Sequence, residues 1–198
     1  MFISFEGIDG AGKTTQIELL KNYLFKMGVE FISIREPGGT LLAEKIRTIL
    51  LDPEISMPDR AELLLFEAAR ADLIDKVIKP NLEKGKIVIC DRFYDSTTAY
   101  QSYGRGIDFE KTLDLHEFTV NNIHPDKTIF LNISLEESAR RIRSKRKDRM
   151  EQSGDEFFKK VYNGFQELVK KYPNRIKMIN ANDSIKNIHE NILNELKL

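Results

Sequence analysis

Gly7-Ile8-Asp9-Gly10-Ala11-Gly12-Lys13-Thr14 fills every fixed position of the phosphate-binding pattern G-x-x-x-x-G-K-[ST]. It follows the apolar run Met1-Phe2-Ile3-Ser4-Phe5 and opens a helical pattern, which is the strand–loop–helix setting the pattern needs. Glycines let backbone N–H groups turn inward around phosphate oxygens, and the following helix presents its positive end. Lys13 adds a mobile charge and Thr14 a hydroxyl suited to Mg²⁺. The expected ligand is a nucleoside triphosphate, held by Gly7, Asp9, Gly10, Ala11, Gly12, Lys13, Thr14 and Thr15.

Strand-like and helical patterns alternate outward from this point. Strands are expected at Phe2–Phe5, Phe31–Arg35, Ile87–Asp91, Lys127–Asn132 and Arg175–Ile179. All are apolar almost throughout, as when helices cover both faces of a parallel sheet. A first helix carries the stripe Ile17, Leu20, Leu24, Met27 and stops at Gly28. Further helices are expected over Leu41–Leu51 and over Asp59–Lys79, the latter closed by Pro80. Ser134-x-x-Glu137 reads as a capping box, and Asp183 or Ser184 starts a last helix with Ile185, Ile188, Ile192 and Leu196 on one face. The pattern predicts one α/β domain over 1–198, a P-loop NTPase fold with a five-stranded parallel sheet and helices on both faces.

Composition narrows the functions. The 198 residues suffice for one domain with a real core. Lys+Arg and Asp+Glu both number 31, so the chain lacks the basic excess of a general nucleic-acid or membrane-surface binder. The single cysteine, Cys90, lies in an apolar run and reads as a buried small hydrophobe. No secretory leader and no apolar stretch of membrane-spanning length are visible, which makes a cytoplasmic protein the expectation. No Asn-Lys-x-Asp segment is present to read guanine, which weighs against a GTPase.

Charged side chains sit where an open α/β sheet places its ligand crevice, at the carboxyl ends of strands. Asp91 ends the Ile87–Cys90 run and is expected near Thr14, where an acid can hold Mg²⁺ or its waters; Arg92 beside it can grip a phosphate. Arg35 precedes Glu36-Pro37-Gly38-Gly39, with Thr40 as a helix N-cap. Two arginines at two strand ends suggest a second phosphate, hence phosphoryl transfer between two nucleotides. The run Arg140–Arg149 holds seven basic residues and one acid, and reads as a solvated helix end, as a nucleic-acid patch, which the zero net charge argues against, or as a lid over phosphates. Phe66 and Arg70, four apart on one helix face, are either core or a base-stacking pair. Tyr94, Tyr100 and Tyr103 suggest the wall of a polar pocket.

Four segments together resemble the thymidylate kinase family of nucleoside monophosphate kinases. They are Phe5 to Thr15, Arg35-Glu36-Pro37-Gly38-Gly39-Thr40, Leu65-Phe66-Glu67-Ala68-Ala69-Arg70-Ala71-Asp72, and Asp91-Arg92-Phe93 with Ser96 to Gly106. The resemblance implies Mg²⁺-dependent transfer of the γ-phosphoryl group of ATP to dTMP. It implies that Asp9 binds the 3′-hydroxyl, that Arg92 grips the acceptor phosphate with help from Arg35, and that Phe66 stacks on thymine while Arg70 donates to O4. Thr97 then lies at the pyrimidine edge and Tyr100 crowds the 2′ position, with Ser96 and Gln101 in the same segment. Asn180-Ala181-Asn182 resembles the loop beside adenine. Gly10 stands where some members carry a catalytic arginine, so Lys13 and Arg92 are joined by a lid arginine over about 143–154. Arg143, Arg146 and Arg149 are the candidates, and Arg149 matches the motif best. A homodimer packed through the second and third helices is also implied. An adenylate, guanylate, uridylate or deoxynucleoside kinase is the alternative within enzymes.

Overall fold

The computed structural model describes residues 1–142 and 148–198. Strands β1 (Phe2–Glu6), β2 (Phe31–Arg35), β3 (Ile87–Asp91), β4 (Lys127–Asn132) and β5 (Ile176–Asn180) form one parallel sheet in the order β2-β3-β1-β4-β5. The first and last strands differ from expectation by one residue at their ends. β1 is central and buried throughout, whereas β2 at the edge is only partly covered.

The pleat sends alternate side chains to opposite faces. Ile3, Phe5, Ile89, Ile129 and Leu131 pack with Leu20 and Leu24 of α1 (Lys13–Lys26) and Ile188 and Ile192 of α9 (Ile185–Leu196). Phe2, Val88 and Cys90 face the other way, against Leu73, Ile74 and Ile78. Helices therefore cover both faces, and Cys90 is a fully buried core residue.

Local chemistry sets the helix ends. Gly12 caps α1 in the left-handed region (φ 94°), where a side chain would be strained. Thr40 caps α2 (Leu41–Leu51), its hydroxyl accepting from the Ala43 N–H at 3.0 Å. Ser134 accepts from the Glu137 N–H at 3.2 Å at the head of α7 (Leu135–Ile142), but Glu137 turns to Arg140 and Arg141, so the box is half made. Ser184, not Asp183, caps α9.

Pro80 does not close the third helix. α3 (Asp59–Leu73) widens into a π-helical turn (Ile74–Ile78) and continues as α4 (Lys79–Glu83). A proline has no N–H and its ring crowds the carbonyl four residues back; the wider turn just upstream, with the Lys79 N–H bonded to the Ile74 carbonyl, accommodates both. Met27 lies beyond α1 and is exposed, leaving the stripe at Ile17, Leu20 and Leu24. The structure adds α5 (Tyr94–Thr97) with a π-helical turn over Thr98–Gly104, α6 (Phe109–Val120) and α8 (Asp155–Lys171). Among the described residues no helix is long and apolar enough to cross a membrane.

Candidate active site

The loop between β1 and α1 closes tightly over the sheet. A Cβ on Gly7 would sit 2.7 Å from the Leu131 carbonyl oxygen, so only glycine lets β1 and β4 stay paired there. Lys13 reaches back to the Gly7 and Ile8 carbonyls at 3.0 and 3.3 Å. Burial and the nearby Arg92 lower the pKa of its ammonium. The Ser138 hydroxyl donates to the Asp9 carbonyl at 2.7 Å and fixes the loop's tip to α7.

Arg92 is the second anchor. It follows β3 in the left-handed region (φ 70°), an uncommon conformation for a side-chain-bearing residue that clusters at functional sites. Its guanidinium donates to the Gly7 carbonyl at 2.9 Å, to Asp9 at 2.6 Å and to the Ser96 hydroxyl at 3.1 Å, and lies 5.3 Å from the Tyr100 ring centroid. Beneath it, Glu6 accepts from the Phe93 N–H at 2.7 Å and the Ser96 hydroxyl at 2.5 Å. Burial, reinforced by Asp95, pushes the Glu6 carboxyl up to about 8.

Two cavities meet at this point. The larger, about 690 Å³, is lined by Gly10 to Gln16, Arg35, Asp91, Arg141, Ala181 and Asp183 among others. The smaller, about 130 Å³, is lined by Phe66, Arg70, Phe93, Thr97, Tyr100 and Gln101 among others. Asp9, Glu36, Arg47 and Arg92 line both. The arrangement gives a polar chamber over a phosphate-binding loop, an aromatic slot, and two guanidiniums at the junction.

The base end of the slot is an ion cluster. Arg70, 1% exposed, bonds Glu36 at 2.8–2.9 Å, Glu67 at 2.5 Å and the Thr97 hydroxyl at 2.7 Å. His116 bonds the same Glu67 oxygen, Oε1, at 3.0 Å. Burial pushes Glu36 up to about 7 although Arg70 opposes it. Burial would raise Glu67 too, but Arg70 and His116 outweigh it and hold it at about 2.

Most of the expected residues converge. Thr14, Thr15 and Asp91 line the large cavity, and Phe66, Arg70, Ser96, Thr97, Tyr100 and Gln101 the small one. Arg35 also lines the large cavity while bound to Glu44 at 2.9 Å. The Ala181 carbonyl of the turn after β5 accepts from Arg141 at 3.4 Å. Three expectations need correcting or setting aside. Tyr94 and Tyr103 are not pocket wall: Tyr94 stacks on buried His116, and Tyr103 packs on Phe109 and against Gly164. Arg149 lines neither cavity. Its guanidinium is 2.6 Å from the buried Glu62 carboxylate and donates to the Leu50 carbonyl at 2.8 Å. Arg143 and Arg146 lie outside the described residues.

Sequence reading missed Glu36, Arg47 and Arg141. Arg47 carries a usable signal: Ala43, Arg47 and Leu50 share one helix face, so a charge interrupts an otherwise buried stripe. Arg47 donates to the Pro37 carbonyl at 3.0 Å, and burial lowers its pKa.

A phosphate-binding loop and a separate aromatic slot, joined through arginines, fit the class of ATP-dependent kinases acting on nucleotides. A family model for thymidylate kinase matches residues 5–192. The thymidylate kinase of Kosmotoga olearia is 44% identical over 199 residues, covering 100% of this chain and 96% of the relative. That of Chlorobium phaeobacteroides is 47% identical over 207 residues, covering 100% and 94%. The crystal structure of the Ehrlichia chaffeensis thymidylate kinase superposes with a TM-score of 0.81 at 39% identity, covering 99% of this chain and 98% of that one. The chain belongs to the thymidylate kinase family, whose ATP-dependent phosphorylation of dTMP to dTDP serves dTTP synthesis.

Proposed function

We propose that the two cavities divide the substrates: ATP lies in the large one and dTMP in the small one, within a single nucleoside monophosphate kinase domain over 1–198. The observation that supports this division is the shared lining by Asp9, Glu36, Arg47 and Arg92, which sets two guanidiniums at the junction of the two cavities. Loop amides and Lys13 hold the ATP phosphates. Arg92, with Arg35 and Arg47 nearby, holds the acceptor phosphate. Asp9 is placed for the 3′-hydroxyl, Phe66 for stacking on the base, and Arg70 with Thr97 for its polar edge. Arg141 and the turn at Ala181 flank the adenine end.

An ionised phosphate oxygen is already a nucleophile at neutral pH, so the side chains have orientation and charge neutralisation to supply, not proton removal. Thr14 and Asp91 offer a hydroxyl and a carboxylate to the same cavity, a hard-oxygen pair that fits Mg²⁺. Among the described residues no cluster of three or more His, Cys, Asp or Glu is built for a metal, which agrees with an ion carried mainly by phosphate and water. Bound there, Mg²⁺ would neutralise phosphate oxygens.

A homodimer through α2 and α3 is supported by Leu41, Leu42, Ile49 and Leu64, apolar side chains left exposed on those helices. The balanced charge supports a protein that binds neither nucleic acid nor membrane, and a cytoplasmic setting. The test is an ADP-release assay with Mg·ATP and dTMP, dUMP, UMP, CMP, AMP and GMP in turn. Strong preference for dTMP is expected; equal turnover of a purine monophosphate would overturn the slot assignment.

A further inference from the structure

Glu62, Phe66 and Arg70 form one row along α3 at four-residue spacing. Phe66 and Arg70 face the small cavity. Glu62, one turn away, is fully buried and holds three side chains from two other segments. Its Oε1 accepts from Gln101 at 2.8 Å and from Arg105 Nε at 3.2 Å. Its Oε2 accepts from Arg105 Nη2 at 3.2 Å and lies 2.6 Å from Arg149 Nη1. These hydrogen bonds pull its pKa below the ordinary value against the burial that would raise it.

Each partner leads to the cavity. Gln101 lines it directly. The Arg149 backbone N–H bonds the Leu51 carbonyl at 3.3 Å, and its side chain bonds the Leu50 carbonyl, pinning this turn to the end of α2. Asp148, Met150 and Leu51, on either side of that pin, line the cavity as well. The Arg105 guanidinium, 4.4 Å from the Phe157 ring centroid, braces the arrangement against α8.

We propose that Glu62 is a positioning residue for the acceptor nucleoside, fixing through Gln101 and Arg149 the cavity wall formed by Gln101, Leu51, Asp148 and Met150, and that Arg149 serves this wall and not the transferring phosphoryl group. The inference rests on the assignment of the small cavity to dTMP. It makes Arg149 matter before chemistry, in binding dTMP alone.

The test compares Glu62→Gln, Arg149→Met and Arg149→Lys by calorimetric titration with dTMP in the absence of ATP, by titration with ATP, by turnover at saturation, and by thermal unfolding. Glu62→Gln and Arg149→Met are expected to weaken dTMP binding about tenfold each, with ATP affinity within about twofold of wild type. The double variant is expected to be little worse than the poorer single one, since both act through one network. Arg149→Lys, which keeps a charge for Glu62, should recover part of the loss. A purely structural role would lower the unfolding temperature and leave dTMP affinity unchanged, which would overturn the proposal. So would an Arg149→Met enzyme with normal dTMP affinity and a turnover reduced by 100-fold or more, the signature of a catalytic arginine. Phe66→Ala serves as the control: if it too leaves dTMP binding unaltered, the cavity assignment itself fails; if it weakens binding while the Glu62 and Arg149 variants do not, only the positioning role fails.

Discussion

Replacing Arg70 by Met tests the ion cluster at the base of the slot. Arg70 is 1% exposed and lies between Glu36 and Glu67, whose side chains are each 5% exposed. Removing it leaves two buried carboxylates without their main counter-charge. Breaking a buried pair in this way costs about 3–5 kcal/mol. At roughly 2–4 °C per kcal/mol for a chain of this size, the unfolding temperature should fall by about 6–20 °C. The pH dependence is more diagnostic. With Arg70 present, Glu36 titrates at about 7 and Glu67 at about 2. The raised Glu36 gives stability that is complete below its unfolded value and is lost as pH rises through 7. The depressed Glu67 gives stability that is present at neutral pH and is lost as pH falls towards 2. The Arg70 charge is the largest influence lowering each carboxyl. Without it both values move up, and the variant should become more stable as pH drops from 8 to 5. Adding Glu36→Gln should recover part of the loss at pH 8 and flatten that slope. Urea unfolding at pH 5, 6.5 and 8 is the assay. A loss under 1 kcal/mol, or a variant whose stability is indifferent to pH over this range, would refute the reasoning.

Three further outcomes are expected. Phe66→Ala should weaken dTMP binding by about 5- to 150-fold, the equivalent of 1–3 kcal/mol for one lost base–aromatic stack, with ATP affinity unchanged by calorimetry. Arg92→Met should lower kcat by about 10³–10⁵, the range for an arginine that neutralises a transferring phosphoryl group; single-turnover quench-flow yielding a rate within tenfold of wild type would remove Arg92 from that role. Thr40→Ala removes the α2 cap, whose hydroxyl also donates to Asp72 at 2.5 Å. It should cost about 1–2 kcal/mol in urea unfolding with little change in turnover.

The sheet and the phosphate loop were readable because their signals are local. An apolar run followed by Gly7 to Thr14 specifies strand, loop and helix within a few residues, and the other four strands are short apolar runs set between helical patterns. α8 was readable in principle, since Phe157, Val161, Phe165 and Leu168 recur at helical spacing. It is overshadowed by the basic run before it. Pro80 misleads because a proline normally ends a helix, and nothing in the neighbouring residues announces the π-helical turn. Arg149 fails for a different reason. Its neighbours in sequence suggest a phosphate ligand, but its partner, Glu62, lies far away on α3 and looks like an ordinary solvent-facing acid. Glu36 is similar: it lies in the loop after β2, and its buried partner Arg70 arrives from α3. Side chains whose role is set by a distant partner leave no trace in local spacing.

The strand order carries a consequence for how the molecule is made. β1 is the first of the five strands in chain order, yet its neighbours are β3 and β4, and the Ser4 hydroxyl meets that of Thr128 across 124 positions of chain. Ile87–Asp91 can pair with one edge of Phe2–Glu6 earlier, but until Lys127–Asn132 has been translated the other edge lacks its final partner, and the loop after β1 has no Leu131 carbonyl to close against. The sheet around this loop closes only once β4 is in place, and a polypeptide stalled before it presents one unpaired apolar edge of β1 for chaperones or aggregation to claim.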